Sequence, residues 1–390
     1  MHLRGRHFET NIPLEIELSG ERIRSVQELP ASPETDTWPL VAPGLFDLQI
    51  NGHGGSWFSN PDLRDDQIPG ILEPFFAHGI TRLCPTLITS SYESLARGFA
   101  AIRAACEQVP WVNRMVPGCH LEGPYISPED GPRGAHPRTQ VRGADWNEFS
   151  KLQELSGGRI RLVTLAPESP GAVEFIRQAI SSEVRISIGH TNATADQIEA
   201  AVDAGAVLST HLGNGIHPLL RRHPNPIWDQ LGEPRLSASL ISDGHHVPPS
   251  FLRAVVAAKG VDKIIITCDA SGFAGCQPGT YPTEAGDVEL LPSGKIVMAA
   301  NPQLLAGSGS FTEECVAEMV AARAATLPQA WHMATRNPAR LLGFETVDLR
   351  PGARADLVLI ASQPQGKLRV LTTVADGQVR YATALNSVKS

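Results

Sequence analysis

Hydrophobic and polar residues change rhythm twice along this chain. Over the first forty residues they alternate in short stretches, FETNIPLEIEL and then ERIRSVQEL, and the alternation returns near the end in ADLVLIA and LRVLTTVADGQVRYA. A period of two is that of a strand with one buried face. Neither end carries enough strands for a core of its own, so the two are expected to pair into one small β domain. Between them, from Pro43 to about Gly343, short apolar runs alternate with helix-like segments, the pattern of βα units and a parallel sheet. Eight runs can be counted: 45–50, 80–88, 115–121, 160–166, 184–189, 206–211, 235–242 and 263–269. Helical segments such as SYESLARGFAAIRAACEQV and TADQIEAAVDAG fall between them. The expected fold is α/β, a TIM (β/α)8 barrel over residues 44–348, with a small β-sandwich-like domain formed by residues 1–43 and 349–390. After the eighth run, DVELLPSGKIVM reads as a hairpin. SGSFTEECVAEMVAARAA reads as a helix whose start is marked by Ser310 and Glu313 at capping-box spacing.

Length agrees with this division, since a barrel of roughly 250 residues leaves room for a smaller module in a chain of 390. A net charge of -8 offers no broad basic surface of the kind nucleic acid requires, so a bound phosphate would need a local cluster of Arg, His and backbone N–H groups. The six cysteines form no C-x-x-C pair, and several sit inside apolar runs, which suits reduced thiols in a cytoplasmic protein. No run of 18 apolar residues occurs, so no membrane association is expected.

In a barrel of this kind all eight C-terminal strand ends face one mouth, where catalytic groups gather. The residues at or just past the runs include Glu122 after the third, His190 after the fifth, His211 at the end of the sixth and Asp269 at the end of the eighth. Each has an ordinary explanation taken singly: a carboxylate paired with Arg, a buried imidazole bonded to a carbonyl, an Asp capping a turn. Independent structural roles would not place all four at separate strand mouths. Two imidazoles and a carboxylate form a catalytic zinc set with an open fourth position. The ion would lower the pKa of a water and polarise a carbonyl, and Asp269 would act as general base and return the proton to a leaving group. Hydrolysis of a C–N bond is the outline.

The motifs resemble the N-acetylglucosamine-6-phosphate deacetylases of the amidohydrolase superfamily. The strings APGLFDLQING, HLEGPYI, GAHP, VTLAPE, GHTNA, THLGNG, SDGHH, TCDA and PGARADLV run in family order over nearly the whole chain. The resemblance implies that Glu122, His190 and His211 hold one divalent metal, zinc first with iron or cobalt as alternatives, and that Asp269 is the catalytic acid/base. It implies that His136 contacts the substrate near the scissile amide. His246 and the backbone N–H groups of Asn214 and Gly215 would hold a sugar phosphate. Arg222 is the nearest match for a phosphate-binding arginine that the family can supply from a neighbouring subunit, so a homodimer is implied.

Two departures from the wider pattern matter. Many amidohydrolases carry H-x-H at the end of strand one, where this chain has Gln49, Ile50 and Asn51. An amide is a poor zinc ligand beside imidazole, so one metal is expected, with His53 the one residue nearby that could restore a second site. No lysine ends strand four, so a carbamylated-lysine bridge is excluded. In the loop after strand six a common G-R-E-P-G string is replaced by RRHPN, residues 221–225, which still carries enough donors for a phosphate monoester. The expected reaction is deacetylation of N-acetylglucosamine 6-phosphate. A deacetylase or amidase for another N-acyl amino sugar, and a barrel kept only as a scaffold, stand as alternatives.

Overall fold

The computed structural model describes residues 1–383. Eight parallel strands, Leu45–Ile50, Ile80–Ile88, Cys119–Glu122, Ile160–Leu165, Arg185–Ile188, Leu208–Ser209, Ser237–Ile241 and Ile264–Thr267, lie side by side in chain order. A parallel bridge from Ile50 to Ala270 joins the first strand to the end of the last, and the sheet closes into a barrel. All eight runs became barrel strands. The third is shorter than its run because Pro110–Met115 is helical, and the sixth ends early because the chain turns at His211, whose φ is 29°.

Alternation along the strands sorts the barrel interior into layers. Phe46, Leu48, Cys84, Leu162, Leu208 and Ile265 form an apolar floor, plugged by Ala339 and Leu342 of the helix Arg336–Leu342. Two residues further along, the inward positions are polar. His120 Nε2 lies 2.8 Å from Thr164 Oγ1, Thr164 Oγ1 lies 2.7 Å from Thr210 Oγ1, and Ser187 Oγ lies 2.5 Å from the same Thr210. Burial lowers the His120 imidazole to about 4, so it stays neutral among these hydroxyls. One more step toward the mouth come Glu122 and Asp269.

Both ends of the chain enter one seven-stranded sheet. Its order runs Gln378–Ala382, Leu368–Ala375, Leu357–Ser362, Leu40–Pro43, His2–His7, Pro13–Ser19 and Arg22–Glu28. The run FETNIPLEIEL is broken at its start by a turn in which Asn11 takes a φ of 63°. ADGQV forms a tight hairpin through Asp376 and Gly377, both with positive φ, as a two-residue turn between twisted strands requires.

A third sheet, of Gly279–Tyr281, Val288–Leu290, Lys295–Met298 and Asn301–Ser308, is inserted after the eighth strand and includes the expected hairpin. The following helix starts one residue later than its spacing predicts. Phe311 is the cap, its N–H is taken by Glu314 at 2.9 Å, and Glu313 turns inward to meet His78 at 2.6 Å. The predicted box fails because a buried partner claims the glutamate. All six cysteines are free thiols, and among the described residues no helix is long and apolar enough to cross a membrane.

Gly98 lies inside the helix Tyr92–Gln108, where alanine would ordinarily stabilise by about 1 kcal/mol. Here a methyl group would fall on the Phe58 carbonyl and 2.7 Å from Leu87 Cδ2, and overpacking of that kind costs about 1–3 kcal/mol. Gly98→Ala is therefore expected to lower the urea midpoint, and a raised midpoint would show that the barrel wall yields there.

Candidate active and metal site

Three of the four strand-end residues share an uncommon backbone. His190, His211 and Asp269 have φ of 50°, 29° and 51°, in the left-handed region that side chains other than Gly and Asn rarely enter. Such strain persists only where surrounding contacts over-determine it, and it clusters at functional sites. The turn at the strand end bends each side chain toward the barrel axis. His190 is further held by Gly215, at whose position a methyl group would come 2.8 Å from the ring, and by Nδ1, 2.9 Å from the Pro132 carbonyl. Glu168, where a bridging lysine is absent, accepts from Asn192 N at 2.6 Å and Thr191 Oγ1 at 2.5 Å, fixing the loop that follows His190.

All four candidates converge. His190 Nε2 and His211 Nε2 approach one atom, Glu122 Oε1, at 3.2 and 3.0 Å. Glu122 is 2% exposed, His211 3%, His190 6% and Asp269 8%. Asp269 is joined to this group through Gln49, whose Nε2 donates to Glu122 Oε1 and to Asp269 Oδ1, each at 3.0 Å; Asn51 Nδ2 adds a bond to Asp269 Oδ1 at 2.8 Å. The Q-x-N pair was read only as a missing ligand pair. It aligns both carboxylates, and the signal for this was already present in the replacement of two imidazoles by two amides.

Electrostatics push the two carboxyls apart. Burial raises Glu122, but the hydrogen bonds of His190 and His211 outweigh it and hold it well below the usual range. Burial and the neighbouring Glu122 raise Asp269 well above its usual value, against the amide bonds from Asn51 and Gln49.

The donor set fits a divalent cation. Two imidazole nitrogens facing one carboxylate oxygen repel it unless a proton or a cation lies between, and a buried dication among them would also offset the burial of Asp269. Ligand atoms of Glu122, His136 and His190 lie within 4.8 Å of one another. His136 thus stands beside the set, with its ring centroid 4.3 Å from that of His190. It makes no hydrogen bond to Glu122, and its Nδ1 is tied to Thr89 Oγ1 at 2.8 Å. The shared contact on Glu122 Oε1 therefore favours His190 and His211 as the pair. Burial and His190 lower His136 to about 3, so it is a neutral ring at the mouth.

Outside this centre the expectations fare unevenly. His246, Asn214 and Gly215 line the same cavity, of about 1120 Å³, as His136 does. The backbone N–H of Asn214 is already donated to His211 O at 3.0 Å, so the expected pair of free donors narrows to Gly215. Arg222 is exposed and does not line its own chain's cavity. His53 packs between Phe75 and Phe311, with ring centroids at 5.4 and 6.0 Å, away from the cavity, and builds no second site with the described residues.

Residues 40–380 match the model of the Amidohydrolase family, and the chain belongs to that family. It is 32% identical to N-acetylgalactosamine-6-phosphate deacetylase of Escherichia coli O157:H7, over 87% of this chain and 88% of that one. It is 33% identical to N-acetylglucosamine-6-phosphate deacetylase of Bos taurus, over 87% and 83%. A mutant N-acetyl-D-glucosamine-6-phosphate deacetylase from Mycobacterium smegmatis, solved in complex with N-acetyl-D-glucosamine-6-phosphate, superposes with a TM-score of 0.83 at 31% identity, covering 95% of each chain.

Replacing Gln49 by Leu would leave Glu122 and Asp269 facing each other without the amide. Loss of hydrogen bonds to buried charges costs about 1–3 kcal/mol, so Gln49→Leu is expected to lower the urea midpoint of chelator-treated protein. An unchanged midpoint would show that the amide holds neither carboxylate.

Proposed function

We propose that this protein removes the acetyl group of N-acetylglucosamine 6-phosphate, giving glucosamine 6-phosphate and acetate. The observation that carries the reading is the meeting of Glu122, His190 and His211 on one oxygen, with Asp269 one amide away. In this reading the first three hold a single divalent ion, zinc first, with iron or cobalt acceptable to the same donors. When bound, the ion supplies Lewis-acid polarisation of the acetyl carbonyl and acidifies a water. Asp269 takes a proton from the attacking water and delivers it to the departing nitrogen, so that the C–N bond breaks to release the free amine, which then takes up the proton the acetic acid loses. Gln49 and Asn51 hold Asp269 in line. His136, fixed by Thr89, contacts the acetyl oxygen, and its neutrality lets it approach without adding charge.

Phosphate recognition rests on His246 and the Gly215 N–H within the chain. Arg222, exposed on a segment that also exposes Leu219 and Trp228, would reach the cavity of a second copy in a homodimer. The same reading takes residues 44–348 as the catalytic domain and residues 1–43 with 349–390 as the smaller one; residues 384–390 lie outside the described residues. The name of the Escherichia coli relative favours a second reading, the galactosamine epimer, which differs in configuration at one ring carbon.

Acetate release from the two 6-phosphorylated sugars and from unphosphorylated N-acetylglucosamine separates these readings. N-Acetylglucosamine 6-phosphate is expected to have the highest kcat/KM; a preference for N-acetylgalactosamine 6-phosphate would transfer the assignment, and a preference for the unphosphorylated sugar would overturn it. Asp269→Asn is expected to lower kcat by about 10²–10⁴-fold with metal content unchanged. Elemental analysis is expected to find one divalent ion per chain, absent in His211→Ala, and chelation should abolish turnover until an ion is returned. Selectivity for the phosphate that survives in Arg222→Ala would remove Arg222 from the reading.

A further inference from the structure

His246 owes its orientation to a residue that no metal or substrate contact explains. Asp243, just past the seventh barrel strand, has a side chain only 1% exposed, and that of His246 is 4% exposed. The carboxylate accepts four hydrogen bonds. Its Oδ1 takes the backbone N–H groups of His245 and His246 at 2.9 and 3.0 Å, and its Oδ2 takes His246 Nδ1 at 2.8 Å and Ser308 Oγ at 2.8 Å. Donors on both oxygens leave it no freedom to rotate or to serve another partner. With Nδ1 engaged, the edge of the imidazole left for a ligand is Nε2, which has no hydrogen-bond partner among the described residues, and the ring lines the cavity.

Ser308 extends the link. Its backbone N–H donates to Asp269 O at 3.0 Å, and its carbonyl accepts from Ser271 N at 2.8 Å, so the carboxylate that orients His246 is tied to the strand that brackets Asp269. One buried anion thus sets the attitude of a substrate-side ring and braces the segment carrying the acid/base.

We infer that Asp243 is a positioning residue for substrate binding: it accepts the Nδ1–H of His246 and so turns Nε2 toward the sugar phosphate, where the ring, carrying a hydrogen on each nitrogen, donates Nε2–H to a phosphate oxygen. The inference rests on the deacetylase reading only in naming that ligand. An aspartate is required because an amide can accept on one end alone. In Asp243→Asn, an oxygen kept on the two backbone N–H groups turns the NH₂ toward His246 and Ser308, so Nδ1 must give up its hydrogen or lose the contact, and the ring no longer holds an N–H on both nitrogens.

The test combines kinetics with nitrogen NMR on the metal-loaded enzyme. Asp243→Asn is expected to raise KM for N-acetylglucosamine 6-phosphate about tenfold or more, with kcat changed much less, as loss of a hydrogen bond to a charged group predicts. His246→Gln should do the same. The double variant should be no worse than His246→Gln within about twofold, because the two residues act as one unit. Multiplying effects would overturn the inference, as would wild-type KM in Asp243→Asn. Should that variant not fold, the ¹⁵N spectrum of the wild type decides, with the His246 signals assigned by their loss in His246→Gln. A protonated Nδ1 supports the inference, and an unprotonated Nδ1 overturns it. Absence of acetate release by the wild type from any phosphosugar would sink the deacetylase reading and leave the NMR result to decide the Asp243–His246 pairing.

Discussion

Three nitrogens from three different strands point at one carboxylate oxygen, Glu122 Oε1. Gln49, His190 and His211 approach it from the first, fifth and sixth strand ends at 3.0 to 3.2 Å. Such crowding is tolerable only where charge is balanced, and it sets the demands on everything around it. The histidine backbones are turned into a left-handed conformation, Gly215 leaves room for the His190 ring that a methyl group would crowd, and Asp269 is held at one remove by amides. A carboxylate so placed is a poor contributor to stability and a good anchor for a cation.

Such a centre needs a polar foundation, and the layer below provides it. The row of hydroxyls through Thr164, Thr210 and Ser187, with His120 at one end, satisfies itself and gives the buried mouth residues a rigid bed. Asp47 does a similar task on the far side. It is completely buried, and burial raises its carboxyl even though it accepts from Thr267 Oγ1 at 2.5 Å, Thr312 Oγ1 at 2.7 Å and the N–H groups of Gln49 and Cys268. Through these bonds the first and last strands are fixed where the barrel closes, two residues from Gln49 and within two of Asp269.

Much of this was legible in the sequence because it is local. A short apolar run and a chemically competent residue at its end are both written in a few consecutive letters, which is why all eight strands and the four converging residues could be read. What escaped depends on partners distant in the chain. Nothing around Glu313 announces His78, so its capping role was misjudged. His53 lies two residues from Asn51, yet its ring is claimed by Phe75 and Phe311. The backbone donor of Asn214 is consumed by His211 three residues earlier, a turn the string THLGNG does not reveal. Gln49 and Asn51 were recognised as substitutions, but their contact with both carboxylates required the first strand to be seen beside the third and the eighth.

The seven-stranded sheet places Leu40–Pro43 between His2–His7 on one side and Leu357–Ser362 on the other. During vectorial synthesis the early strands therefore wait with one edge open until Leu357–Ser362 has emerged, while the barrel between them can already be collapsing. A chain arrested before its last strands would expose a row of unpaired backbone donors and acceptors, an adhesive edge for neighbouring nascent copies. Arrival of Leu357–Ser362 is thus also the step that covers this edge.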